Sequence, residues 1–245
     1  MKKIFAANWK LQKTPLESKS FCEEFLSNTD EKFFSDKEIF IFPQNFSVGL
    51  VSQTIKGSPI LVGPQNIHSE NSGAFTGENS AELAKKFGCE LILLGHSERR
   101  QYFAETNSAL AKKVTLCESL NMLPVFCIGE TLTQRQTNQT ESVCLSQLSE
   151  GLISADRNKR IVIAYEPVWA IGTGQVATIE QVTDIHQKIF SHTESLGFKN
   201  FQILYGGSVK PDNAGALIQI PHVDGFLIGG ASLDVKSFMQ ICGSS

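Results

Sequence analysis

Eight short runs rich in Ile, Val, Leu and Phe recur along this chain: Ile4 to Trp9, Glu38 to Phe42, Pro59 to Gly63, Leu91 to Gly95, Val125 to Gly129, Ile161 to Tyr165, Phe201 to Tyr205, and Gly225 to Gly229. Most are apolar at consecutive positions rather than alternate ones, the pattern of strands buried on both faces and hence of a parallel sheet covered by helices. Their starts lie between 21 residues (Glu38 to Pro59) and 40 residues (Ile161 to Phe201) apart, which brackets the roughly 30 that a strand, a crossover helix and two loops occupy. Amphipathic stretches such as Pro15 to Leu26, Ser80 to Phe87, Asn107 to Leu120, Glu141 to Ile153 and Thr178 to Leu196 fill the gaps, several with Ser, Thr, Asn or Asp near their first turn. With no Pro/Gly/Ser-rich linker to divide it, residues 1–245 read as a single α/β domain, a closed eight-stranded parallel (β/α)8 barrel. An open doubly wound sheet is the structural alternative, and the count and spacing favour closure.

The net charge of -3 offers no basic stripe, which argues against nucleic acid as a partner. A small anion would therefore have to be met by local donors. The six cysteines are widely spaced, form no CxxC pair and sit in a chain too large to need staples, so they read as reduced thiols. The N-terminus turns polar by Asn8, no apolar run approaches the length of a membrane span, and a cytoplasmic location is expected. In that setting the sequon at Asn138-Gln139-Thr140 would stay unmodified.

Polar residues gather where strands end: Asn8 and Lys10 after the first, His96 and Glu98 after the fourth, Glu166 after the sixth and Ser208 after the seventh. In a barrel these ends converge on one cavity, although any one of them alone would read as a solvated rim residue. Glu166 is flanked by Ile161-Val162-Ile163-Ala164-Tyr165 and Pro167-Val168-Trp169, and burial would raise its pKa toward that of a working base; a rim salt bridge is the plainer reading. His96 stands where a helix start follows a buried strand, which disfavours the imidazolium and suits a neutral donor to a carbonyl oxygen; a satisfied core histidine is the alternative. Gly206-Gly207-Ser208 and Gly229-Gly230-Ala231-Ser232 after the last two strands supply backbone N–H groups of the kind that cradle phosphate. The remaining histidines, His68, His186, His192 and His222, have no metal-ligand spacing.

Two connections are long: Pro64 to Asn79 after the third strand and Glu166 to Ala177 after the sixth, and loops of this size in compact domains tend to carry function. Gly172 to Ala177 fits the dinucleotide fingerprint G-x-G-x-x-G/A, but Glu166 to Ile171 separate it from its strand, so it reads as a mobile loop rather than a cofactor site.

Taken in order, Asn8-Trp9-Lys10, Gly73-Ala74-Phe75-Thr76-Gly77-Glu78, Gly95-His96-Ser97-Glu98-Arg99-Arg100, Cys127-Ile128-Gly129-Glu130, Ala164 to Gly174, Tyr205-Gly206-Gly207-Ser208-Val209 and Asp224 to Ser232 resemble the triosephosphate isomerase family from end to end. The resemblance implies a TIM barrel that interconverts dihydroxyacetone phosphate and glyceraldehyde 3-phosphate in glycolysis and gluconeogenesis, through an enediolate and with neither cofactor nor metal. It implies Glu166 as the base, His96 as the neutral electrophile, and Lys10 as the balancing cation. Asn8 would orient substrate oxygen and Glu98 would position Lys10. Gly172, Ser208, Gly229 and Gly230 match the family's phosphate donors. The loop Gln65 to Asn79 matches its dimer arm, with Thr76 reaching the neighbouring subunit of a homodimer. Gln175, Leu11, Gln12 and Pro64 depart from the residues common there. A Schiff-base aldolase on the same barrel would need a desolvated lysine, for which Lys10 is the one obvious candidate; a barrel kept only as a binding module would predict loss of the base or the electrophile.

Overall fold

A computed structural model describes residues 1–172 and 175–244. The strands are β1 (Lys3–Asn8), β2 (Lys37–Phe42), β3 (Leu61–Val62), β4 (Leu91–Leu94), β5 (Leu123–Ile128), β6 (Ile161–Tyr165), β7 (Phe201–Tyr205) and β8 (Gly225–Ile228), and all their pairings are parallel. The helices among the described residues are α1 (Pro15–Ser27), α2 (Asn45–Thr54), α3 (Ala81–Lys86), α4 (Ser97–Tyr102), α5 (Asn107–Ser119), α6 (Leu132–Gln136), α7 (Thr140–Gly151), α8 (Ile179–Ser195), α9 (Ala214–Leu217) and α10 (Val235–Cys242). Helix starts follow local chemistry. Thr14, Thr131 and Thr178 each accept from the N–H three residues on, while Glu17, Gln134 and Gln181 reach back to them as capping boxes.

The sheet runs β3-β2-β1-β8-β7-β6-β5-β4. Its two ends meet through Glu90 N–H to Val62 O at 3.1 Å and Leu93 N–H to Pro64 O at 3.1 Å, so the barrel closes. Strand β3 is shorter than the run Pro59 to Gly63 suggests, and at this seam the backbones approach closely. A Cβ on Gly63 would lie 1.8 Å from Leu91 O.

Alternate strand residues divide into two cores. Ile4, Ala6, Phe40, Phe42, Leu91, Leu93, Val125, Cys127, Val162, Ala164, Leu204 and Leu227 fill the barrel interior, and Phe5, Ile41, Ile92, Phe126, Ile163, Ile203 and Phe226 pack outward under the helices. Burial on both faces is why the runs are apolar at every position. At the amino ends of the strands the interior is plugged by polar groups, with Arg160 forked onto Glu38 (Nη1 to Oε1 3.2 Å, Nη2 to Oε2 2.6 Å) and also donating to the buried Gln202. A cleft lies at the opposite, carboxyl ends of the strands. Among the described residues, no helix is long and apolar enough to cross a membrane.

Candidate active site

Asn8 ends β1 almost fully buried, and its Oδ1 accepts the Lys10 N–H at 3.1 Å. Lys10 itself adopts φ +52°, a conformation an L residue keeps only when its surroundings fix it. Gln65 does so by donating to the carbonyls of Lys10 (2.8 Å) and Phe42 (2.9 Å). The Lys10 ammonium then pairs with Glu98 Oε1 at 2.7 Å.

His96 caps α4 with its ring: Nδ1 accepts the Glu98 N–H at 3.2 Å. An accepting Nδ1 carries no proton, so the hydrogen-bond pattern assigns a neutral imidazole with its hydrogen on Nε2. That Nε2 lies 2.9 Å from Glu166 Oε1. Glu166 is 1 % exposed and also accepts from the Ser97 N–H (3.0 Å, Oε2) and the Ser97 hydroxyl (3.1 Å, Oε1). Burial pushes its carboxyl up, as expected from its apolar flanks. Against burial act the facing His96, whose charge counts only in its protonated form, the donors from His96 and the Ser97 backbone, and the Lys10 charge; together they leave it below the ordinary carboxylate range. In this arrangement Glu166 is ionised and tied down.

A cleft of about 260 Å³ at the carboxyl ends of the strands is lined by Asn8, Lys10, His96, Glu166, Gly172, Ser208, Gly229 and Gly230. Eight of the ten residues singled out from the sequence thus meet in one place. Glu98 does not line the cleft but stands behind Lys10, and Thr76 is exposed on the loop after β3. The fingerprint-like segment splits: Gly172 lies on the cleft wall, whereas Thr173 and Gly174 fall outside the described residues.

Three residues that sequence reasoning gave no role matter here. Ser97 supplies two of the donors to Glu166. Lys210 adds a second cation to the cleft lining. Glu130, with no exposed surface, accepts from the Tyr165 hydroxyl (3.0 Å), Trp169 Nε1 (2.9 Å) and Arg135 (3.1 Å), while its carbonyl accepts the Val168 N–H (3.1 Å). Glu130 therefore anchors the stem of the loop that follows Glu166. An acid directly after an apolar strand was the visible signal; its partners, from β6 and beyond, were not.

The arrangement offers a buried carboxylate, a neutral N–H donor, an ammonium and a glycine-lined wall around one small space. Such a set suits proton abstraction beside a carbonyl on a small anionic substrate. Comparison with known proteins agrees. The family model described as Triosephosphate isomerase matches residues 3–245. The chain is similar to the triosephosphate isomerase of Bdellovibrio bacteriovorus, at 50 % identity over 98 % of this chain and 99 % of that protein. It is also similar to those of Cytophaga hutchinsonii, at 42 % identity over 99 % of both, and Dictyoglomus thermophilum, at 41 % identity over 98 % of both.

Proposed function

The chain belongs to the triosephosphate isomerase family and interconverts dihydroxyacetone phosphate and D-glyceraldehyde 3-phosphate through an enediolate, and on that premise we propose how its residues divide the work. Glu166 is the base that carries the proton between the two carbons. His96 donates from Nε2 to the oxygens that take up charge, Asn8 orients them, and Lys10, held by Glu98, balances the enediolate and the phosphate. Gly172, Ser208, Gly229 and Gly230 receive the phosphate.

The observation that carries this reading is the mutual bond between His96 Nε2 and Glu166 Oε1. A substrate oxygen that takes the Nε2–H removes one of the donors that keep Glu166 a weak base. Departure from Ser97 removes two more, and the buried carboxylate then gains basicity from its apolar surroundings. Substrate binding thus converts a satisfied ion into a reactive one. A positioned base supplies roughly 10² to 10⁴ in rate, so fixed donors around the developing oxyanion must contribute much of the rest.

The protein is proposed to be one domain spanning residues 1–245, cytoplasmic, and a homodimer through the arm 65–79 with Thr76 in its partner's site. Support for the dimer comes from large apolar residues left exposed in or beside the loops after the first four strands: Leu11, Phe46, Phe75, Tyr102 and Phe103. A coupled assay with glyceraldehyde 3-phosphate tests the assignment. Rapid isomerisation without trapping is expected; no turnover, with borohydride trapping of substrate on Lys10, would replace it with the aldolase reading.

A further inference from the structure

The ladder between β4 and β5 stops at Leu94↔Phe126, yet the residues that matter lie just beyond it. One side chain continues the tie. Arg100 donates from Nε to Gly95 O at 2.8 Å and from Nη2 to Cys127 O at 3.0 Å. Its third arm is fixed from outside: Nη1 donates to Asn107 Oδ1 at 2.6 Å, and Asn107 in turn donates to Glu150 at 3.0 Å. Gly95 O belongs to the peptide that leads into His96. The next carbonyl along β5, Ile128 O, accepts the Glu166 N–H at 2.7 Å. The contacts form a closed circuit from His96 through Gly95, Arg100, Cys127 and Ile128 to Glu166, and back across the 2.9 Å bond to His96.

We propose that Arg100 is a positioning residue for proton transfer, its guanidinium clamping the ends of β4 and β5 so that His96 and Glu166 keep their separation. This rests on the roles given above to His96 and Glu166. A planar fork suits two divergent carbonyls, which a lysine ammonium cannot span with the same geometry. Arg100 also lines a second space of about 220 Å³ with Ser97, Gln101 and Glu166, the last of which also lines the substrate cleft. A small cation entering there can reach the position a truncated side chain would vacate.

The test compares Arg100→Ala and Arg100→Lys with the parent enzyme by kcat, KM, competitive inhibition by inorganic phosphate, and activity in added guanidinium chloride at about 20 mM. Because an ångström of misplacement can lower rate by about 10²-fold, kcat should fall by about 10- to 100-fold in both variants. Phosphate inhibition should stay within about threefold, since its donors lie on other strands. Guanidinium should restore activity to the Ala variant by at least about fivefold and leave the parent unchanged. A folded Ala variant with near-parental kcat, a loss shared equally by phosphate affinity, or a kcat deficit that guanidinium leaves untouched would each overturn the proposal. Should the Ala variant not fold, the Lys variant decides: a loss confined to kcat supports the clamp, and full kcat refutes it. If both variants retain phosphate inhibition but the parent itself shows no isomerisation, the assignment of His96 and Glu166 fails rather than the clamp.

Discussion

His96 Nε2 and Glu166 Oε1 stand 2.9 Å apart, so before any substrate arrives the imidazole N–H and the carboxylate satisfy each other. Neither is free to react while that bond persists. An amide at position 166 would keep an acceptor oxygen for His96 and the Ser97 hydroxyl, while its NH2 would replace the oxygen that accepts the Ser97 N–H, and it could not take a proton from carbon. Glu166→Gln is therefore expected to fold normally and bind phosphate analogues as the parent does, with kcat lower by roughly 10² or more. Turnover close to normal in that variant would remove Glu166 from its role.

Ser97 donates twice to the Glu166 carboxylate, and its backbone N–H is among the groups that hold that carboxyl low. Ser97→Ala deletes the hydroxyl and leaves the backbone N–H. Since a donor to the charged form lowers a pKa, its loss raises it, and the acid limb of the kcat/KM profile should move to higher pH. A limb that stays in place or moves to lower pH would show that the hydroxyl does not act on the ionised base.

What the sequence disclosed and what it concealed divide along physical lines. The strands were legible because burial on both faces writes an uninterrupted apolar run; β3 was overdrawn, and the close approach of Gly63 to Leu91 was hidden because the two are distant in sequence. Helix α4 was read only as a helix start at His96, without bounds, since a six-residue helix capped by a histidine ring carries little periodicity. Asn8, Lys10, His96 and Glu166 could be found as strand-end polar groups. Ser97 could not, because one of its contributions is a backbone N–H. Glu130 and Arg100 were equally hidden, their partners coming from other strands.

Gly129 sits where the end of β5 meets Glu166: a Cβ there would lie 1.8 Å from Glu166 O. Gly129→Ala must push the β6 end away, so a loss of about 1–3 kcal/mol in stability and a lower kcat are expected. Gly215, in α9, has nothing within 4 Å of an added Cβ. Gly215→Ala should leave melting temperature unchanged or raise it slightly, as Ala favours helix by up to about 1 kcal/mol over Gly. Thermal unfolding of the pair checks both, and equal behaviour would contradict the close approach.

Phe75 and Thr76 lie exposed on the arm after β3, where His68 stacks on Phe75 with ring centroids 3.9 Å apart. Sedimentation at micromolar concentration should find a dimer for the parent and monomer for Thr76→Arg, with much reduced activity in the latter. An active monomeric parent would refute the arm as an interface.

His186 is expected to make stability sensitive to acid. It is fully buried, its Nδ1 lies 3.0 Å from His222 O, and its Nε2 has no hydrogen-bond partner. Burial foremost pushes its pKa down to about 4, from 6.5 when exposed. Between those values the unfolded chain binds a proton that the folded chain refuses, so stability falls as pH drops from 6.5 toward 4. Glu166, also lowered, acts in the same direction but only below the ordinary carboxylate range, because its contribution persists until pH falls through its folded value. Between pH 7 and pH 5 the histidine is therefore expected to outweigh Glu166, at roughly 1.4 kcal/mol per pH unit once below its exposed pKa, or about 2 kcal/mol in all. Glu118, whose carboxyl is pushed up by burial, acts in the opposite direction. His186→Leu leaves the His222 carbonyl without that partner and should be less stable at pH 7, so the slope, not the offset, is diagnostic. Urea unfolding at fixed protein concentration should show the parent losing stability from pH 7 to pH 5 while the Leu variant stays nearly flat. A variant that retains the parental slope would place the acid sensitivity elsewhere.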